Sequence, residues 1–147
     1  MTQTTSQLPN VKTTTIDARG PRFAALITTV VLVVALASHS VWVIIFQTLV
    51  FAIGAVRGPQ FTPYSFVFRK FIRPRLKGEV PAEDIRPPQF AQSVGLIFAL
   101  VATVGLVSHI SVLFTIAAGA ALAAAFLNAA FNYCLGCEVY LLLLRLR

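Results

Sequence analysis

From Phe23 to Val56 the chain runs 34 residues without one Asp, Glu, Lys or Arg. A soluble domain of this size cannot hide such a run, because its surface is too large for its interior. The 147 residues are 57% hydrophobic and 12% charged, where soluble domains carry about 25% charged residues. Mean hydropathy is +0.81. A bilayer is the solvent that suits this composition. One helix of that length would reach about 51 Å, against a hydrocarbon core of about 30 Å. The polar knot Ser38-His39-Ser40 divides the run, so two helices, Phe23 to Ala37 and Val41 to Val56, fit better. Each is shorter than the roughly 20 residues of a full crossing, which leaves thinning of the bilayer or partial insertion open.

A second uncharged pair follows, Phe90 to Val107 and Val112 to Phe131, broken at Ser108-His109-Ile110-Ser111. The two halves match elsewhere too. Asp17-Ala18-Arg19-Gly20-Pro21-Arg22-Phe23-Ala24 is echoed by Asp84-Ile85-Arg86-Pro87-Pro88-Gln89-Phe90-Ala91, and Ser38-His39-Ser40 by Ser108-His109-Ile110. Self-similarity of this kind marks a duplicated unit. The expected fold is an all-α membrane protein of four transmembrane helices. They form two tandem helical hairpins, each followed by a short amphipathic interfacial helix. Residues 1–16, rich in Thr, Ser and Gln, read as a disordered cytoplasmic tail. Residues 17–147 form one membrane domain, with repeats at about 17–77 and 84–147 and a linker at about 78–83.

The charge map orients this arrangement. All twelve cations fall in three places: Lys12, Arg19 and Arg22; Arg57, Arg69, Lys70, Arg73, Arg75, Lys77 and Arg86; Arg145 and Arg147. Neither Ser-His turn contains one. Four spans put every cation on one face, and the positive-inside rule makes that face cytoplasmic, with both termini there. A net charge of +7 also invites a nucleic-acid reading. These cations flank apolar runs instead, which points to juxtamembrane anchoring in an inner or plasma membrane and to no nucleic acid. Ala35-Leu36-Ala37 imitates a signal-peptidase site. The long leader, Asp17 within it and the repetition of the pattern argue against cleavage.

Between the halves, Tyr64 to Arg73 has helical spacing, with Tyr64, Val67, Phe68, Phe71 and Ile72 on one face. Arg69, Lys70 and Arg73 lie mostly away from it, and Arg75 and Lys77 follow. A helix lying in the membrane interface, aromatics down and cations toward anionic headgroups, has this pattern. A helix packed on a protein partner is the alternative.

Both cysteines of the chain, Cys134 and Cys137, sit in Phe131-Asn132-Tyr133-Cys134-Leu135-Gly136-Cys137-Glu138. On a helix, residues three apart share a face, and the topology places the pair at the cytoplasmic end of the fourth helix. Cytosolic thiols are kept reduced, so a C-x-x-C there reads as redox-active or metal-binding rather than as a permanent disulfide. Gly136 would relax the helix and let the sulfurs approach. Glu138 would relay a proton, although a carboxylate beside a thiol disfavours the thiolate. The alternative is inert cysteine packed as a small apolar side chain.

Two thiolates leave a tetrahedral zinc site half empty, and His39 and His109 lie at the opposite face. A homo-oligomer sharing four thiolates is the one route to a metal. Asn128 and Asn132 align with Ala121 and Ala125 on one stripe of the fourth helix. They read as interhelical hydrogen bonds joined by Gln47 and Gln92, or as a polar pathway to the cysteines. Gly119-x-x-x-Ala123 supports close helix packing there. His39 and His109 read as turn residues, or as titrating groups at the outer face. No nucleotide loop, hydrolase triad or metalloprotease helix is present, and nothing marks a cofactor.

Ile16 to Phe23, Tyr64 to Leu76 with Arg73-Pro74-Arg75, Pro88-Gln89-Phe90-Ala91 and Phe131 to Tyr140 together resemble an uncharacterised bacterial family of actinobacteria and relatives, domain of unknown function 4395. The resemblance covers roughly Asp17 to Leu144. Its most specific element is matched here by Cys134 to Glu138. It implies an integral membrane protein of unknown activity, with no catalytic residues to carry over. It also implies a thioredoxin-like or rhodanese-like sulfurtransferase partner, since members are encoded near such proteins. The expected function is a membrane-embedded dithiol in cytoplasmic-side thiol–disulfide or sulfur transfer. The alternatives are a non-catalytic scaffold and a small channel or transporter lined by Gln92, Asn128 and Asn132.

Overall fold

The structure is a computed structural model, which describes residues 15–17, 19–75, 82–131 and 133–146. Strand β1 (Thr15–Asp17) leads into α1 (Arg19–Ser38), and α2 (Val41–Val56) follows after two residues. A short 3-10 turn, Pro59–Phe61, precedes α3 (Pro63–Val67), which runs into a π turn (Phe68–Ile72) and a 3-10 turn (Arg73–Arg75). Then come β2 (Ala82–Asp84), α4 (Arg86–Val107), α5 (Ser111–Phe131) and α6 (Leu135–Leu146). The fold is helical, as expected, apart from one small antiparallel pair between β1 and β2. Thr15 and Ile16 therefore belong to a strand rather than to a disordered tail. Residues 82 and 83 pair as well, where a linker was expected. Residues 1–14 and 76–81 lie outside the described residues.

Three helices, α1, α4 and α5, are long and apolar enough to cross a membrane. The 16 residues of α2 reach about 24 Å, short of the hydrocarbon thickness. The first helix is longer than the uncharged run alone predicts. It spans 20 residues, because Gly20, Pro21 and Arg22 join its first turn, where proline's missing N–H costs nothing. Trp42, Val56, Val112 and Leu146 are each more than two-thirds exposed. A surface of this kind suits lipid tails rather than water.

Both Ser-His turns use the same device. His39 and His109 have φ of 54° and 61°, the left-handed region in which a helix commonly terminates. The His109 turn is closed by the Ile110 N–H donating to the Gly105 carbonyl at 2.8 Å, and the His39 N–H donates to Ala35 O at 2.8 Å. Neither residue is glycine, so each turn holds a conformation that costs roughly 1–2 kcal/mol. The His39 ring packs 5.1 Å from that of the fully buried Phe114. Here the histidines act as turn residues.

The broadest helix interfaces are α2 against α4 and α1 against α5, with α4 against α5 next. Leu32, Ala35, Ile44, Ala102, Phe114, Ala117, Ala118 and Ala121 form the main core, toward the turn end. Small residues let the backbones approach. They are not the pair that the sequence singles out: Gly119 faces open space and Ala123 is exposed. The stripe that packs is Ala117, Ala118 and Ala121.

At the opposite end, contacts recur in matched pairs. Arg22 donates to the Ala129 and Ala130 carbonyls at the end of α5, at 3.0 and 3.4 Å. Gln89, its counterpart in the second entry motif, donates to Ala55 O near the end of α2, at 2.9 Å. Phe23 packs on Phe68 and Phe90 on Tyr140, with centroids 5.6 and 5.5 Å apart. The strand register is centred on Ile16 facing Glu83, positions that the entry motifs equate.

Thr62 caps α3 by accepting from the Ser65 N–H at 3.2 Å, with Pro63 at the first helical position. Tyr64 and Phe68 are buried against the bundle, whereas Phe66, Val67 and Phe71 are exposed. The expected single face of Tyr64, Val67, Phe68, Phe71 and Ile72 is thus divided. The π turn inserts extra backbone per turn and swings Phe71 away from Phe68. The Tyr64 hydroxyl donates to Gln47 Oε1 at 2.7 Å, while Gln47, fully buried, has no partner for Nε2.

Tyr64→Phe will leave both ends of the Gln47 amide unpaired and lower stability by about 1–3 kcal/mol in detergent unfolding. Burial pushes the Tyr64 phenol up, so the folded state keeps its proton where the unfolded chain loses it. That contribution is whole below about pH 10 and fades as pH rises further. The wild-type protein will lose stability above that pH, and the Tyr64→Phe variant will lose less.

Candidate functional site

The fourth long apolar helix, α5, ends at Phe131, and α6 starts at Leu135. Cys134 and Cys137 therefore do not ride on the end of α5, as their spacing and the apolar run suggest. They sit at the start of a separate helix. The Glu138 N–H donates to Cys134 O at 3.0 Å, which makes Cys134 the N-cap residue of α6 and Cys137 the third residue within it. The Cys137 N–H donates to Cys134 Sγ at 3.2 Å. The sulfur occupies the place that a serine or threonine oxygen takes in an ordinary N-cap.

The two sulfurs are joined in a disulfide, with Cα atoms 5.2 Å apart. The sequence led us to expect a redox-active pair whose sulfurs can approach, and they do meet, although not because Gly136 loosens a regular helix. The sulfurs meet because Cys134 lies outside the helix, at the cap. Gly136 serves a different purpose. A Cβ on it would lie 2.6 Å from Ala91 Cβ and 2.7 Å from Ala91 Cα, so only glycine lets the start of α6 press against α4. The Phe90–Tyr140 ring contact fixes the next turn. Glu138 is exposed and follows Cys137 directly, within the first turn of α6.

A cavity of about 730 Å³ opens beside the disulfide, between α1, α4, α5 and α6. Ala24, Ala25, Ala121, Ala124 and Ala125 give it apolar walls, and Cys134, Cys137 and Glu138 line one side. Arg22, Gln92 and Asn128 supply its polar groups. The sequence joined Gln47 and Gln92 to one network with Asn128. The structure separates them: Gln47 pairs with Tyr64, and Gln92 Oε1 lies buried without a partner, packed over Gly54. Asn132 lies outside the described residues. Sequence reasoning missed Arg22 and Ala91, because nothing local connects either to a cysteine more than 40 residues away.

Among the described residues no group of His, Cys, Asp and Glu could hold a metal ion. The expected basic stretch is set apart from the disulfide, after α2. Arg69 donates to Gln60 O. Lys70 Nζ lies 5.6 Å from the Phe66 ring centre and 5.7 Å from that of Phe71. Arg75 is exposed, and Lys77 and the side chain of Arg73 lie outside the described residues. Each ammonium–ring contact is worth about 0.5–1 kcal/mol at an exposed site. Together they hold cation and aromatics in one patch.

Gly136→Val will force α6 off α4, because Ala91 Cα is backbone and cannot rotate away. Overpacking of this kind costs about 1–3 kcal/mol. The expected readout is a lower unfolding temperature, together with faster reduction of the disulfide by dithiothreitol than in the wild-type protein.

No curated protein matches the chain, and neither does any solved structure. The family model described as a domain of unknown function, DUF4395, matches residues 16–145. The chain belongs to that family.

Proposed function

We propose that the protein is a membrane-embedded dithiol that exchanges its disulfide with a partner at the cytoplasmic face. The observation that carries this is the placement of Cys134 as the N-cap of α6, its sulfur accepting the Cys137 N–H at 3.2 Å. In the reduced protein the same N–H groups face a thiolate. The start of a helix stabilises negative charge by about 0.3–1 kcal/mol for an exposed site and more when partly buried. Both cysteines are half-buried, so the gain is not wholly screened. Glu138, next in the chain to Cys137, would take up the proton released, although a carboxylate beside a thiol disfavours the thiolate. Cys134 is thereby the attacking sulfur and Cys137 the resolving one.

A cytoplasmic dithiol protein of the thioredoxin-like or rhodanese-like kind is the partner this chemistry suits. In exchange, a partner thiolate attacks the disulfide, a mixed disulfide forms with Cys134, and the partner's second thiol releases it. Two electrons pass from the partner's thiols to this protein, and the protons follow.

The membrane setting belongs to the same proposal. Two tandem hairpins from a duplicated unit, crossing four times with α2 as the short span, leave every cation on one side. Arg22 and Arg57 both stand at helix ends away from the Ser-His turns, which supports that orientation. The patch of Arg69, Lys70 and Arg75 with Phe66 and Phe71 then lies against anionic headgroups, together with Arg73 and Lys77. Each cation there contributes about 1 kcal/mol. The rival reading treats the disulfide as a staple in a non-catalytic scaffold, and the Gly136–Ala91 contact is what favours it.

With Cys137→Ser, the Cys134 thiolate will displace thionitrobenzoate from a thioredoxin-like protein that carries it on its attacking cysteine and has its second cysteine replaced by serine, and the mixed disulfide will accumulate. With Cys134→Ser, Cys137 will trap far less. Equal trapping, or none, removes the dithiol role. In reduced vesicles, maleimide will label the pair from the cytoplasmic side alone. Replacing Arg69, Lys70 and Arg75 by Gln will weaken selective retention of phosphatidylglycerol during purification, by roughly fivefold for each cation lost.

A further inference from the structure

A disulfide that is used must be restored, and the structure places an apolar chamber beside this one. Its volume of about 730 Å³ falls within the roughly 300–1,000 Å³ of sites that enclose a small organic ligand. Alanine is the commonest residue in its walls, between helices whose outer faces carry exposed Val, Leu and Phe. A ligand reaching it from the bilayer must itself be apolar. The chamber is not uniformly apolar, however. Gln92 and Asn128 bring carboxamides to its wall, and Arg22 brings a guanidinium. Gln92 Oε1 itself lies buried against Gly54, turned from the chamber, so the remainder of that side chain and Asn128 are what the chamber meets. An acyl chain would fill the space yet use neither the amides nor the sulfurs.

One class of molecule matches the set. It has an apolar tail, a ring with oxygens that both accept and donate hydrogen bonds, and a two-electron couple that oxidises thiols. We infer that the cavity beside Cys134 and Cys137 binds a lipid-soluble quinone, which reoxidises the reduced pair. This rests on the dithiol reading above and names its electron acceptor.

The step balances without a further reagent. The Cys134 thiolate adds to a ring carbon of the quinone. The Cys137 thiolate then attacks Cys134 Sγ. The S–S bond forms, the C–S bond breaks, and the electron pair stays on the ring. The two protons from the thiols end on the two ring oxygens, and hydroquinone leaves. The dithiol loses two electrons and two protons, and the quinone gains them. The Asn128 amide, on the chamber wall, offers a hydrogen-bond donor to a quinone carbonyl.

The test uses the full chain, reduced, freed of reductant and reconstituted without oxygen into phosphatidylethanolamine–phosphatidylglycerol vesicles with or without decylubiquinone. Free thiols are counted by maleimide gel shift, and quinone by its absorbance. The expected result is one quinone consumed for each disulfide formed, at a rate that saturates with quinone content. Ala124→Phe, which occupies the chamber, will slow the reaction about tenfold or more, a loss of about 1.4 kcal/mol in the reacting complex. Asn128→Leu, close to it in volume, will raise the half-saturating quinone content in a protein whose packing is kept. Disulfide formation no faster with decylubiquinone than without it, while diamide oxidation and dithiol exchange persist, overturns the quinone site alone. It assigns the chamber to lipid chains. Failure of diamide oxidation and of dithiol exchange as well overturns the dithiol reading with it.

Discussion

The last carbonyls of a helix have no partner within it, and each must find one outside. The bundle answers this by making each half close the other. Arg22 at the start of α1 donates to the end of α5, and Gln89 at the start of α4 donates to the end of α2. Neither donor caps its own helix. The broad α1–α5 and α2–α4 interfaces follow from the same crosswise pairing. The β1–β2 ladder extends it by pairing the two entry segments in register around Ile16 and Glu83. Cut between the halves, the chain would leave both sets of carbonyls and both strand edges open.

That clasp divides the molecule into two regimes. Toward the Ser-His turns, Leu32, Ile44 and Phe114 interlock with alanines in a dense core, and the helices are held close by Gly105, over which Leu113 and Phe114 pass. Toward the charged end α2 and α4 also approach closely, Phe51 lying over Gly95 and Gln92 over Gly54, while alanines line the space between α1, α4 and α5. Small side chains that would seal a tight interface instead leave volume. The disulfide stands at the edge of that volume because Gly136 lets α6 settle on Ala91.

Much of this is legible in the chain. The uncharged runs predict helices at four places, and the Ser-His knots fall at the turns, because runs of apolar residues and their breaks are signals of local length and hydropathy. The matched entry motifs foretell that Arg22 and Gln89 occupy equivalent places. What is not legible depends on contact between distant segments. The extension of α1 through Arg22 needs the end of α5 as a partner for that charge. The π turn that hides Phe68 and exposes Phe71 arises where α3 meets α1, and no periodicity encodes it. Gly119-x-x-x-Ala123 has the pattern of a packing motif and lies on open surface, whereas Gly136 owes its role to Ala91, 45 positions earlier. The C-x-x-C spacing announced a site, but its position at an N-cap required knowing where α5 stops.

The cap position also bears on whether the disulfide is structural. A bond across a sequence separation of 3 closes so short a loop that it restrains the unfolded chain by only about 2 kcal/mol, the low end for disulfides. The hydrogen-bonded cap that Cys134 already provides, through its sulfur and its carbonyl, needs no second sulfur at Cys137. Serine at position 134 alone would cap α6 at least as well. Stability therefore accounts for a good cap residue and for the glycine behind it, but not for a second cysteine three residues on. What the pair adds is a bond that can open while the cap persists, since a thiolate accepts the Cys137 N–H better than a disulfide sulfur does. α6 is seated on α4 by Gly136 and the Phe90–Tyr140 contact, neither of which involves a sulfur. A site that keeps its geometry while its bond is made and broken is what repeated exchange requires.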